Sequence, residues 1–399
     1  MASEETPKTS LAPLRIVVRG EGPWFSGDLL QGHVELPTDY SIDDTDISLE
    51  GALRSWMLQG DPDVDDPHEE TVEQQLLALR FARYDDDEQI PAAEEACSSS
   101  SGAPFYFRIP HLLSSPFHSP CPRFLHLPPS MNEGREFFNA GRKTQYMQPL
   151  IVYTIKAGVI YHREGHTSLL TATAEQTVHL LPRSGCHPLC ALEDFPEDFK
   201  ASATRTIKRS AWARPLGIME MSAVEPDPVL LQDTPTAMVG LCCRISVAFT
   251  PVKSDIQGRY AKLLKCHLQT NLRTKTYLST RPMERVPDQQ AISRDRKICL
   301  RSEVSRLQYI DLQMKGWTVV SLENSAKGPL QPHISRLASS LDVPVTINGH
   351  LTPEFVHRYA ARLYALVVRV TLPDFSHKPF ELEVPLQVVY AQSNPYPTV

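Results

Sequence analysis

The chain has 399 residues, of which 41% are hydrophobic and 22% charged, a balance that excludes wholesale disorder and at this length asks for two cores of ordinary size. A formal net charge of −7 gives no electrostatic reason to expect nucleic acid, because neutralising phosphates needs a basic face. Thirty-four prolines against eighteen glycines argue against a helical protein, since an interior proline removes a backbone donor and breaks a helix, whereas loops and edge strands accept it.

Residues 1–12 are polar, with Glu4 and Glu5 adjacent, and lack the charged-then-apolar order of a secretory signal. They are expected to be disordered. No apolar run is long enough to span a bilayer, and the eight cysteines are scattered as reduced thiols would be, so the expected location is the cytoplasm.

Period-2 alternation, the mark of a strand with one buried face, begins at Leu14, Ile16 and Val18 and resumes at Leu30, Val34 and Leu36. A third run places Ile47, Leu49, Gly51 and Leu53 opposite Ser48, Glu50, Ala52 and Arg54. The segment 61–102 reads as an acidic insert whose flanks are loops; within it, Leu76, Leu77, Leu79 and Phe81 fit a short helix or a strand. Strands follow at 105–109, 124–127, 150–161 and 177–181, completing a first β-sandwich over 13–182. Residues 183–199 have no period and two prolines, and are predicted to be the linker.

A second sandwich is predicted over 200–392, with a short tail over 393–399. Its clearest strand sets Val239, Leu241, Cys243, Ile245, Val247 and Phe249 on one face. Tyr364–Leu372 and Phe380–Tyr390 are expected to pair as a hairpin across 373–379, with Glu381, Glu383 and Gln387 facing out. Long loops are expected at 281–297 and 323–341.

The residues F-S-G-D-L-L-Q-G-H-V (25–34) and I-S-L-E-G (47–51) resemble the opening of the arrestin N-terminal domain, in which a G-D-x-x-x-G turn starts a strand and a glycine recurs in the next. The stretches P-F-Y-F-R-I-P (104–110), F-L-H-L-P-P-S (124–130), Y-M-Q-P-L-I-V-Y-T-I-K-A (146–157) and E-V-P-L (383–386) are similar to later arrestin segments, in the same order. The resemblance is to α-arrestins of the fungal type and marks Gly27, Asp28, Gly32, Gly51, Pro128 and Pro129 as family-motif structural positions. It implies an all-β arrestin fold of two tandem antiparallel immunoglobulin-like sandwiches. It also implies a non-enzymatic adaptor, cytoplasmic with recruitment to the plasma membrane or endosomes, that binds cytoplasmic segments of membrane proteins in endocytosis, protein sorting or ubiquitin-dependent trafficking. An alternative is a structural subunit of a stable trafficking complex, as in the related retromer subunit. The ligase-recruiting P-P-x-Y is absent from the sequence, so a ubiquitin ligase would have to be reached by an indirect route. The residues themselves explain two positions: Gly27 permits an unusual turn, and Gly32 marks a bulge or a close backbone approach.

No cofactor or metal is expected. His162 and His166 are four apart, but Gly165 between them suits a hairpin turn better than a zinc-binding helix. Cys186, His187 and Cys190 lack the second pair that makes a metal site. No G-x-S-x-G elbow or phosphate-cradling G-x-x-x-x-G-K occurs, so no catalytic residues are assigned. The candidate surface is basic: Lys200, Arg205, Lys208, Arg209 and Arg214, with Trp212 among them. Alternation would put Arg205 and Arg209 on one face, where they could meet anionic lipid or phosphorylated tails. An ordinary solvated strand entering the second domain is the competing account.

Overall fold

A computed structural model describes residues 14–37, 40–59, 68–81, 102–113, 122–132, 136–139, 144–163, 165, 167–184, 192, 195, 197–232, 238–252, 264–321 and 335–391. The chain divides into two compact units, Met1–Arg183 and Ser184–Val399. Among the described residues both are built almost entirely from β-strands, in several antiparallel sheets consistent with β-sandwich domains.

Unit 1 holds β1 (Arg15–Val18), β2 (Trp24–Phe25), β3 (Leu29–Glu35), β4 (Tyr40–Gln59), β5 (His68–Arg80), β6 (Gly102–Arg108), β7 (Glu136–Asn139), β8 (Thr144–Arg163), β9 (Leu170–Val178) and β10 (Leu180–Leu181), and β11 (Arg183–Ser184) lies at its end. One sheet runs β1-β3-β6, a larger one runs β5-β4-β8 with β7 and β9 both on β8, and β2 pairs in parallel with β10. Their registers explain the alternation. Leu30, Gly32 and Val34 of β3 lie opposite Phe107, Phe105 and Ala103 of β6, all on the buried face. In the larger sheet Leu49, Gly51 and Leu53 meet Ile155, Tyr153 and Ile151 on the inner face, leaving Glu50, Ala52 and Arg54 outside.

Of the helix and the strand that Leu76, Leu77, Leu79 and Phe81 allowed, the strand forms: residues 68–80 make β5, which pairs with β4 along its whole length and buries Leu76 and Leu77. The rest of the expected acidic insert lies mostly outside the described residues. The strand expected at 124–127 is a 3-10 helix, Pro122–Leu125, which begins on a proline and ends before Pro128 and Pro129.

Unit 2 contains β12 (Ser202–Lys208), β13 (Pro215–Ala223), β14 (Val229–Leu231), β15 (Met238–Pro251), β16 (Leu264–Ser279), β17 (Ile298–Ser321), β18 (Ser335–Asn348), β19 (Phe355–Val356), β20 (Ala360–Thr371), β21 (Phe380–Pro385) and β22 (Val388–Ala391), with a short helix α1 (Gln289–Arg294) in the expected loop. Nine strands form one hydrogen-bonded path, β12-β13-β15-β18-β17-β16-β20-β19, with β21 on β20. β17 joins its two halves: Ile298–Met314 pairs with β16, and Lys315–Ser321 with β18, across a register shift next to Gly316 at φ +71°. The core alternation on β15 is as the sequence predicts, with Cys243, Ile245, Val247 and Phe249 buried. The loop expected over 323–341 shrinks at its end, since β18 begins at Ser335.

The C-terminal hairpin forms, but it stops early. β21 pairs with β20 up to Pro385, which cannot donate to a ladder, and the chain then turns so that β22 pairs in parallel with β14. Glu383 and Gln387, expected to face out, are buried; only Glu381 of the three is exposed.

Candidate functional site

The glycine and proline positions set the frame of unit 1. Gly27, at φ +92°, is the third residue of a turn closed by the Asp28 N–H donating to the Phe25 carbonyl at 3.0 Å, and the Asp28 carboxylate accepts from the Phe25 N–H at 2.8 Å. At Gly32 a Cβ would lie 2.4 Å from the Val17 carbonyl oxygen and 2.5 Å from the Phe105 ring, so of the two sequence-based readings the close approach applies; the ladders pass Gly32 without a shift. Gly51 is covered by the ring of Tyr153, 2.5 Å from where its Cβ would stand. The Tyr153 hydroxyl in turn donates to the Pro128 carbonyl at 2.7 Å, inside the core. Next to Pro129, Ser130 donates its N–H to the Leu180 carbonyl and accepts the Leu180 N–H on its Oγ, each within 2.9 Å. Gly27, Asp28 and Gly32 therefore shape the entry to β3 and its packing in the smaller sheet, while Gly51 and Pro128, through Tyr153, hold the inner face of the larger one.

That face being filled, the outer face of the same strands is left to solvent, and it forms a cradle of about 540 Å³. A register shift between Gly51 and Ala52 bends β4 against β5 at its centre. Ala52, Leu150 and Val152 make an apolar floor. Lys156 on β8 bridges to Glu50 on β4 at 2.7 Å, and Arg54 on β4 to Glu73 on β5 at 3.0 Å. Gln75, Thr154 and Glu175 complete the rim. The Lys156 hydrogen bond holds the Glu50 carboxyl below its usual range, and the same bond raises the Lys156 ammonium. Both pairs are solvent-exposed, so they exchange partners at small cost. The cradle can thus offer carboxylates, cations and an apolar strip to an extended segment laid over it. The alternation at 47–54 marked Glu50, Ala52 and Arg54 as outward, but the residues that β5, β8 and β9 add and the bend of the sheet come only with the strand pairing.

The basic candidates separate. Lys200 forms a backbone bridge with Glu383, donating to and accepting from it at 3.0 and 2.9 Å. Arg205 is half-buried on the side of Ala203 and Ile207, both core residues, and its guanidinium donates to the Thr204 carbonyl. The register shift after Ile207 ends the alternation that would have set Arg209 beside it. Lys208, Arg209 and Arg214 instead gather around the turn joining β12 to β13, where Trp212 is 97% exposed.

A charged cluster escaped sequence reasoning. Lys275 on β16 is buried; it pairs with Glu383 on β21 at 3.3 Å, donates to the Asp198 carbonyl at 3.3 Å and lies 4.7 Å over the Phe199 ring. Arg273 pairs with the same Glu383. Partial burial raises the Asp198 carboxyl, whose Oδ1 accepts the Gln289 N–H at 3.0 Å. Lys275 and Glu383 belong to strands on either side of β20, so no local spacing could have linked them.

Among the described residues no group of three side chains could hold a metal ion. His162 pairs with Asp43 at 2.7 Å, and Gly165 at φ +80° makes the expected turn. His166 and the Cys186–Cys190 stretch lie outside the described residues. Burial pushes the Cys243 and Cys266 thiols up to about 12, so neither is a thiolate nucleophile near neutral pH. No helix among the described residues is long and apolar enough to cross a membrane. No protein-family model matches the chain, and no curated protein is detectably similar to it.

Proposed function

We propose that this chain is an arrestin-like binding adaptor, without catalytic activity of its own, whose unit 1 cradle receives a cytoplasmic segment of a membrane protein. The cradle carries the reading: it is open, bent and lined by exchangeable ion pairs around an apolar floor, which suits recognition of an extended chain rather than bond chemistry. Supporting it, the family-motif residues have physical roles that interlock, Gly51 with Tyr153 and Tyr153 with Pro128. A stable structural subunit would call for a contiguous apolar patch. Val304 and Tyr309 are exposed on one face of β17, whereas Val319 and Val320 alternate to opposite faces. That scatter favours the adaptor.

The test is a photo-crosslinking side chain placed at Thr154, on the cradle rim, in cells. Enrichment of integral membrane proteins at their cytoplasmic segments, lost when Arg54→Glu and Lys156→Glu reverse both cations, is the expected result. Enrichment confined to fixed soluble partners, unchanged by the reversals, would sink the proposal.

A further inference from the structure

The turn joining β12 to β13 has a composition and placement that the cradle does not explain. Lys208 pairs with Pro215 across the hairpin, so residues 209–214 form its loop, and the Ala213 N–H donates to the Ser210 carbonyl at 3.1 Å. Trp212 is the third residue of that turn and stands at its apex with 97% of its surface in solvent. An indole is a large apolar body with one polar N–H, and leaving it in water forfeits its burial. Its neighbours Ala211 and Ala213 are small, and Arg209 and Arg214 flank them. From 201 to 219 the chain carries four cations, Arg205, Lys208, Arg209 and Arg214, and no carboxylate.

The base of the hairpin is firm. Ile207 and Met219 are buried, and with Leu216, Phe249 and Phe375 they line a small apolar interior. The Lys208 carbonyl accepts the Ser376 N–H at 2.9 Å, and the Leu216 carbonyl accepts the Val252 N–H at 3.0 Å. Val252, 64% exposed, therefore adds a second apolar side chain at this end of the unit. Beside Ser376 the described residues include one exposed carboxylate, Asp374, and one exposed cation, Lys378.

We infer that this hairpin apex is a membrane-contact wedge, with Trp212 entering the interfacial region of an anionic lipid surface while Arg209, Arg214 and Lys208 meet the headgroups. An apex with an outward indole has no groove in which to clasp a peptide, whereas a flat anionic surface accepts it directly. Tryptophan at the headgroup level with cations around it matches the two forces that hold peripheral proteins on membranes. The inference does not depend on the cradle, and it needs no protein partner.

The test uses the full chain with vesicles of phosphatidylcholine alone or with phosphatidylserine added. Sedimentation is expected only with the anionic vesicles, weakening as salt rises. Arg209→Gln with Arg214→Gln should lower binding on the order of tenfold or more. Brominated lipid should quench tryptophan emission, and the quenching should vanish in Trp212→Phe although three other tryptophans remain. These side chains are at the surface, so unchanged circular dichroism is expected for each variant. Equal binding to neutral vesicles, absence of binding to anionic ones, or quenching that survives Trp212→Phe would overturn the wedge. Capture of a soluble phosphopeptide without vesicle binding would assign the cations to a protein partner instead.

Discussion

At the scale of single residues, the motif glycines are positions where a side chain has no room or no allowed backbone. Gly51→Ala drives a methyl group into the Tyr153 ring, and overpacking of this kind costs about 1–3 kcal/mol. Chemical denaturation should register it as a lower midpoint with an unchanged slope. Tyr153→Phe should cost about 1–3 kcal/mol by leaving the buried Pro128 carbonyl unpaired. A wild-type stability for either variant would remove the interlock between the two motifs. His357 supplies a pH dependence. Burial lowers its pKa from 6.5 to about 4, so the folded chain resists taking up a proton that the unfolded chain accepts. Its contribution is fully present above pH 6.5 and is lost as pH falls towards 4, by about 3 kcal/mol in all. His357→Gln should flatten the stability profile in that window; an identical profile would exclude His357 as its source.

At the scale of elements, strand pairing explains what alternation alone leaves open. β20 was legible as a strand from Tyr364 to Leu372, yet Leu363, Ala365 and Val367 on its other side are buried too, because both faces of this central strand are covered. That covering makes Glu383, a surface residue by its spacing, into the partner of a buried lysine. Glu383→Gln should destabilise unit 2 by about 3–5 kcal/mol, since it leaves Lys275 charged and without its carboxylate. Lys275→Met combined with Glu383→Leu should recover part of the loss, since it removes the buried ammonium but still leaves Arg273 without this carboxylate, and a double-mutant cycle would measure it. β16 and β17 were not anticipated, although Leu264, Cys266 and Leu268 alternate with Lys265 and His267. Their polar residues, such as Thr270 and Asn271, dilute the pattern, and the pairing that runs from Leu264–Met314 to Ser279–Ile298 is what holds them extended.

At the scale of the whole molecule, each unit has its own buried set: Leu30, Leu49, Tyr153 and Ile155 in the first, Cys243, Leu268, Val343 and Val368 in the second. Fragments 1–183 and 184–399 are therefore expected to unfold cooperatively when made separately. A fragment without a cooperative thermal transition would mean that its core is completed by the other. The sequence by itself determined the β-class and the inward set of β3, β4 and the core half of β15, because period 2 and proline usage are local consequences of backbone geometry. It also marked Gly27, Gly32 and Gly51, since only a residue without a Cβ fits a reversed turn or a ring laid on the backbone. Tertiary structure alone decided the rest. The bend that hollows the cradle, the core-side position of Arg205, the burial of Glu383 and the near-complete exposure of Trp212 all depend on which strand lies beside which, and that adjacency is set by burial across long stretches of chain.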